Sequence, residues 1–356
     1  MEIAQTQTPK PRRRYGFHRW LILLLIIGNV LAVRAVAPIR PAIQAAAEHV
    51  AGPFTLPLLG ELYLTNTMIA SFIAVALLAA MAVAVNRGVR RGGMVLGGLA
   101  GAVEAILEAL YNLTESVAGK RARQIFPWVA TIVLMVLLVN WMELIPGVDS
   151  IGRLHEAQAG GEGYPVQELF RLGSLPVYAI VRDSAAEGTA AAAEPALYGV
   201  IPFVRAASSD LNFTMALAVI AVLLTEVMGV RANGLSYFKK FFNFGPALKM
   251  WTRENLGAFD VLFPFIDIFV GLLELVAELA RLISFSFRLF GVIFAGSVVL
   301  FLIGSLVPVF VQSGFVILEL FFGLIQALVF GMLTLIFVTL ATQSHGQHAE
   351  GQAGAH

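Results

Sequence analysis

The sequence predicts an all-α, multi-pass membrane protein with about six membrane-embedded helices plus one interfacial amphipathic helix. The 259–304 stretch, as one continuous helix, must tilt steeply or break to fit a bilayer. Hydrophobic residues make up 58% of the 356-residue chain and charged residues 13%, whereas soluble domains run near a quarter charged. Several apolar runs exceed the ~18 residues that identify a bilayer-spanning helix. Lys and Arg gather in segments that alternate with pairs of these runs. A soluble globular enzyme is excluded. The formal net charge of +1 does not supply the concentrated basic face of a nucleic-acid binder. With no cysteine there is no disulfide frame, thiol catalyst or cysteine metal site.

Residues 1–19 form a basic segment (Lys10, Arg12, Arg13, Arg14, Arg19), and an extra transmembrane helix follows over 20–37. A basic start, a short apolar core and Ala35-Val36-Ala37 also look like a cleavable signal peptide. Pro38, directly after the cleavage position, argues against processing. Residues 38–62 read as an outer-side segment, and a membrane domain covers 63–343. Its first spanning run, Leu64 to Val85, is closed by Arg87, Arg90 and Arg91. Over 96–118, Glu104, Glu108 and Glu115 share one helical face, which suits a helix lying at the membrane surface. Lys120, Arg121 and Arg123 come next. The run from Phe126 to Pro146 carries Asn140 and Glu143 near its far end.

Residues 147–210 form a long polar, outer-side connection rich in acids (Asp149, Glu156, Glu162, Glu168, Asp183, Glu187, Glu194). Its Ala-rich part around 185–193 reads as weakly ordered. Another span runs from Leu211 to Val230, and a basic loop with Arg231, Lys239, Lys240, Lys249 and Arg253 follows. Two very long apolar stretches, 259–304 and 307–342, precede a polar tail over 344–356. Five Lys/Arg lie in the N-terminal segment, six between 87 and 123, and five between 231 and 253. All fall on one side if the runs alternate, and the positive-inside rule makes that side the cytoplasm. Both termini are then cytoplasmic.

A charge facing lipid costs about 2.5–3.5 kcal/mol on insertion scales, so intramembrane charges mark function by default. Asp260, Asp267, Glu274, Arg281 and Arg288 are each seven residues apart. That spacing drifts only ~20° per step on an α-helix and so forms one polar stripe. Arg281 lies within reach of Glu278, three residues earlier. Glu274 and Glu278, four apart, form a like-charge pair that favours a shared proton. Arg288 has no such partner: Ser284, Phe285, Gly291 and Val292 occupy the neighbouring turns. Arginine cannot shed its proton, so its carboxylate must come from another helix or another subunit. Glu319 in the last helix could supply it as a buried salt bridge. Gln326 shares a face with Glu319, and buried Gln is often interhelical hydrogen-bond glue. Gly291, Ala295 and Gly296 permit close approach of a neighbouring helix.

The segment Ser284-Phe285-Ser286-Phe287-Arg288-Leu289-Phe290-Gly291, followed by Ala295-Gly296, resembles the R-L-F-G-N-x-x-A-G signature of subunit a of bacterial F-type (FoF1) ATP synthases. Asn140-Trp141-Met142-Glu143-Leu144-Ile145-Pro146 and Ser208-Ser209-Asp210-Leu211-Asn212 resemble two further stretches of that family, and the resemblance runs from about residue 62 to 342. It implies a proton-translocating stator subunit of the cell membrane with no cofactor. The implied partners are the c-ring, the subunit b peripheral stalk and the rest of the complex. H+ is implied in preference to Na+, and nucleic acid plays no part. Carried over by position, Arg288 attracts the deprotonated ring carboxylate and blocks a leak between two offset half-channels. Glu319, Gln326, Asn140, Glu143, Ser208, Asp210 and Asn212 then line the outer half-channel, and Glu274 and Glu278 lie toward the cytoplasmic one. The last two helices then form a long tilted hairpin against the ring.

The chain departs from the pattern at Val292, which replaces the usual Asn, and at Ser297, where relatives commonly carry Glu or His. Any relay there must rest on Glu319. The N-terminal helix and the enlarged 147–205 loop are additions. Two other classes remain: a secondary ion-coupled transporter, and a structural membrane subunit of a respiratory complex. A transporter would usually show internal repeats and interrupted helices, and no convincing repeat is present. The chain has no G-x-x-x-x-G-K-[ST] loop, so it is not expected to be an enzyme on its own. ATP chemistry is expected to reside in partner subunits.

Overall fold

The computed structural model describes residues 17–35, 47–57, 60–90, 98–156, 164–172, 175–180, 198–241, 258–307 and 310–343. The basic residues 10–14, the Ala-rich part of the long loop, Lys249, Arg253 and the C-terminal tail lie outside these residues, as do the side chains of Arg19, Asp260 and Asp267.

Among the described residues, seven helices carry the apolar runs: α1 (Phe17–Ala35), α2 (Asn66–Arg90), α3 (Gly98–Ala118), α4 (Ala122–Met142), α5 (Leu211–Asn233), α6 (Ala258–Leu306) and α7 (Phe310–Thr342). Five segments within α2 to α7 are long and apolar enough to cross a membrane, and α1 contains a shorter apolar stretch, Ile22–Leu31. The anticipated interfacial helix is α3. Glu104, Glu108 and Glu115 are exposed, while Leu110 and Thr114 are buried on the other face.

The longest stretch is one continuous helix. At 1.5 Å per residue the 49 residues of α6 span about 74 Å, too long to stand upright in a ~30 Å hydrocarbon core. The core lies where α4, α5, α6 and α7 meet. Val136, Phe285, Leu289, Ile293, Phe330 and Leu335 are buried together there. The Phe285 and Phe330 rings lie 5.3 Å apart. Gly331 on α7 is in tight register with α4, because a Cβ there would overlap Val133.

Hydrogen bonds place the element ends. At one end of the bundle the Arg121 guanidinium donates to the Thr342 carbonyl, and the Asn233 amide donates to the Ala341 carbonyl at 2.9 Å. Both satisfy carbonyls that the end of a helix leaves without intrahelical donors. At the other end the start of α2 meets the start of α5, and the end of α4 meets α6 and α7.

Among the described residues, three small antiparallel strand pairs qualify the all-α expectation. They pair β1 (His49–Leu56) with β2 (Gly60–Thr65), β3 (Gly152–Glu156) with β6 (Tyr198–Pro202), and β4 (Val166–Leu172) with β5 (Leu175–Ile180). The first pair runs three residues past the 38–62 segment, the other two lie within 147–210, and all are outside the helical bundle. The long connection is therefore partly a folded β structure. It reads as loop because its short apolar runs are broken by acids and glycines.

Candidate functional site

The predicted polar residues gather into two clusters on either side of Arg288. In the first, Asp210 caps the N-terminus of α5 by accepting from the Asn212 amide at 2.9 Å. Its other oxygen accepts from the Thr67 hydroxyl of α2 at 2.8 Å. Asn66 Oδ1 accepts from the Thr67 amide at 2.9 Å and from the Glu48 amide at 3.3 Å. The Glu48 carboxyl is pushed above its ordinary value by burial, with Arg205 and His155 pulling the other way. Asn212 itself points outward, so only its backbone serves this cluster.

Deeper in, the Asn140 amide donates to the Gly323 carbonyl of α7 at 3.1 Å. The single Ser297 hydroxyl proton can go to either of two acceptors within reach, the Glu143 carboxylate or the Ile293 carbonyl. Ser297 is 4% exposed. Glu319 comes over this place from α7: a Cβ at Gly296 would overlap its carboxylate. The departure at Ser297 is thus built around by two acids, Glu143 from α4 and Glu319 from α7. Asn66 Nδ2, Asn140 Oδ1, Ser208 Oγ, Glu319 Oε1 and Gln326 Nε2 are buried with no hydrogen-bond partner among the described residues. An orphaned buried polar atom costs about 1–3 kcal/mol, and a polar cavity large enough to hold water relieves that cost.

The second cluster lies earlier on α6. The Lys240 ammonium, from the 3-10 turn Gly234–Lys240 after α5, contacts Glu274 at 2.6 Å and Glu278 at 3.1 Å. Arg281 takes the other Glu278 oxygen at 2.5 Å and stacks on Phe337, 4.1 Å from its ring centre. A shared proton between Glu274 and Glu278 is therefore not required, because a cation bridges them. For Lys240, burial opposes the charge, but its hydrogen bonds to Glu274 and Glu278 outweigh that and raise its pKa above 10.5. Close approach here needs Gly271, since a Cβ there would overlap the Phe241 carbonyl.

Arg288 sits between the clusters. It lies ten residues past Glu278 and nine before Ser297, about 15 Å and 13.5 Å along the axis of α6. Its guanidinium is exposed, and its one hydrogen bond is a long donation to Ser284 Oγ at 3.4 Å. No carboxylate of the described residues pairs with it, and Glu319 does not form the salt bridge entertained above. Leu289, 0% exposed, turns the opposite face of the helix into the core. Ser284, Gly291, Val292 and Ala295 are exposed along the turns flanking Arg288.

Buried polar residues, an arginine without a carboxylate partner among the described residues and a second charged cluster thus lie along one continuous helix. Residues 68–339, well over half of the chain, match the family described as ATP synthase A chain. The chain belongs to the ATP synthase subunit a family. It is 27% identical over 254 residues to ATP synthase subunit a 1 of Syntrophotalea carbinolica, covering 71% of this chain and 77% of that protein. It is 27% identical over 284 residues to ATP synthase subunit a of Gloeobacter violaceus (80% and 86%). Against the same subunit of Moorella thermoacetica it is 23% identical over 288 residues (81% and 95%). As a family member it is a proton-translocating stator subunit of the membrane sector of ATP synthase. It is a multi-pass protein of the inner membrane.

Sequence reasoning missed Thr67 and Asn66, and it placed Lys240 in a basic loop without its acidic partners. Thr67 and Asn66 carried a weak signal as polar residues at the mouth of an apolar run. Lys240 reaches Glu278 across 38 residues, and nothing local announces that contact.

Proposed function

We propose that this chain provides two offset half-channels to the carboxylates of a rotating c-ring, with Arg288 as the barrier and electrostatic partner between them. Both termini then lie in the cytoplasm, and a subunit b stalk holds the chain against rotation. The observation that carries this reading is the exposed, carboxylate-free guanidinium of Arg288 on a face of small residues. In lipid such a charge would cost about 2.5–3.5 kcal/mol. A carboxylate arriving from a neighbouring subunit removes that cost.

The polar set Asp210, Ser208, Asn140, Gln326, Glu143 and Glu319 forms the outer access path, joined by Ser297 and Thr67. The outward side chain of Asn212 makes its role a backbone one. Glu274 and Glu278 border the cytoplasmic path. The two routes meet α6 on opposite sides of Arg288, so a proton crosses only by riding the ring. H+ fits this acid-rich path in preference to Na+, and ATP chemistry belongs to partner subunits.

Cross-linking tests the ring-facing surface. The chain has no cysteine, so Val292→Cys or Ala295→Cys introduces a single thiol beside Arg288. Oxidation is expected to join it to a thiol placed on the outer helix of subunit c, while Leu137→Cys in the buried core stays unlinked. If neither position beside Arg288 cross-links in the assembled complex, the surface lies elsewhere.

A further inference from the structure

The second cluster contains an acid with no role so far. Glu226, on α5, accepts from the Tyr237 hydroxyl at 3.3 Å. Tyr237 is 5% exposed and folds back onto α5 because Gly229 has no side chain: a Cβ there would meet ring atoms Cε2 and Cζ at 2.5 and 2.6 Å. Three residues further on, Lys240 crosses to Glu274 and Glu278. The charges acting on Glu226 are Glu278 and Arg281 from α6 and Lys240 from the 3-10 turn. From α7 the Phe337 ring packs on Arg281.

Three carboxylates thus face two cations. Lys240 and Arg281 both contact Glu278, and Lys240 also contacts Glu274. Among the described residues Glu226 pairs with no cation and has a hydroxyl instead. A group that carries protons must change charge at every passage. Neutralising Glu278 would strand Arg281, and neutralising either Glu278 or Glu274 would take one of two carboxylates from Lys240; both cation side chains are only 20% exposed, where an uncompensated charge is costly. Neutralising Glu226 strands nothing and brings the cluster to charge balance. Burial, then Glu226 and Glu278, hold the Tyr237 hydroxyl protonated well above the ordinary tyrosine range. It is therefore a fixed donor to the acid.

We infer that Glu226 is the proton-exchanging carboxylate of the cytoplasmic access path, positioned by Tyr237, while Glu274 and Glu278 anchor the cations that set its field. This rests on the half-channel reading above. In the synthesis direction a proton leaving the ring binds the Glu226 carboxylate, and the acid then releases it to cytoplasmic water. Hydrolysis runs the same transfer in reverse.

The experiment uses the assembled complex in inverted membrane vesicles and reads ATP-driven proton pumping against pH. Glu226→Gln is expected to slow pumping at least about tenfold, the lower part of the range for losing a positioned proton-transfer group. Glu226→Asp should restore part of the rate with an altered pH profile. Where Glu226→Gln fails to assemble, Tyr237→Phe keeps the ring over Gly229 and removes only the hydroxyl, and it must move the pH profile. Pumping at the parental rate with an unchanged profile in an assembled variant overturns the assignment. In parallel, Ala277→Cys and Ser284→Cys are treated with a membrane-impermeant thiol reagent from the cytoplasmic face. Block of pumping there, with Glu226→Gln fully active, refutes the Glu226 role alone. No block at either position refutes the cytoplasmic path itself.

Discussion

At the scale of single residues, one missing side chain and one bridging lysine do the most. Gly296 makes room for the Glu319 carboxylate, so Gly296→Ala is expected to displace that acid and depress ATP synthesis in vesicles, with the subunit still present in the membrane. Unaltered synthesis would mean that Glu319 is not in the path. Lys240→Met leaves Glu274 without its cation and Glu278 with one of two. Removing a partner from a fully buried pair costs roughly 3–5 kcal/mol; here the partners are 8 to 34% exposed, and about 1–2 kcal/mol is expected after solvent screening. The pH sign follows from the raised pKa of Lys240. Its stabilising contribution is fully present below the unfolded lysine value of 10.5 and disappears only as pH rises through the higher folded value. Thermal inactivation of the detergent-solubilised complex should therefore show the same Lys240→Met penalty at neutral and mildly alkaline pH, narrowing only in strong alkali. A penalty that vanishes near neutrality would contradict the ion-pair account.

At the scale of elements, the contact between α4 and α7 holds the Asn140 and Glu319 sides of the path together. Gly331→Ala adds a methyl against Val133, and overpacking of this kind costs about 1–3 kcal/mol. The melting temperature of the complex should fall, and a rise would show that the contact has slack. The helices were legible in the sequence because apolar runs of spanning length leave few other choices, and the excess length of α6 was visible in the 259–304 run. The strand pairs were not legible. β4 and β5 are short, interrupted by Glu168 and Pro176, and pair locally in a stretch whose overall composition is polar. The proton shared by Glu274 and Glu278 was a fair inference from spacing on one helix. It yields to Lys240, a partner that arrives from outside that helix.

At the scale of the whole molecule, sequence order and spatial order combine to divide the chain into two polar ends with one cation between them. Helix starts and ends alternate along the chain. Thr67, Asp210, Glu143, Ser297 and Glu319 therefore meet at one end, although up to about 250 positions separate them in sequence. Lys240, Glu274, Glu278 and Arg281 meet at the other. Each residue could be singled out as out of place in a membrane, but which of them share a cluster depends on how α4, α5, α6 and α7 close around Leu289 and Phe330. The pairing of Ser297 with Glu143 shows this most clearly, because the two residues lie 154 positions apart in the chain.

The central claim is that Arg288 separates two access paths and meets a carboxylate that another subunit supplies. The most direct measurement is Arg288→Ala in the assembled complex, with ATP synthesis, ATP-driven proton pumping and passive proton leak followed in the same vesicles. Synthesis and pumping should fall to background while the subunit remains assembled, and passive leak should rise as the barrier is lost. Coupled transport close to the parental rate, with no added leak, would contradict the account.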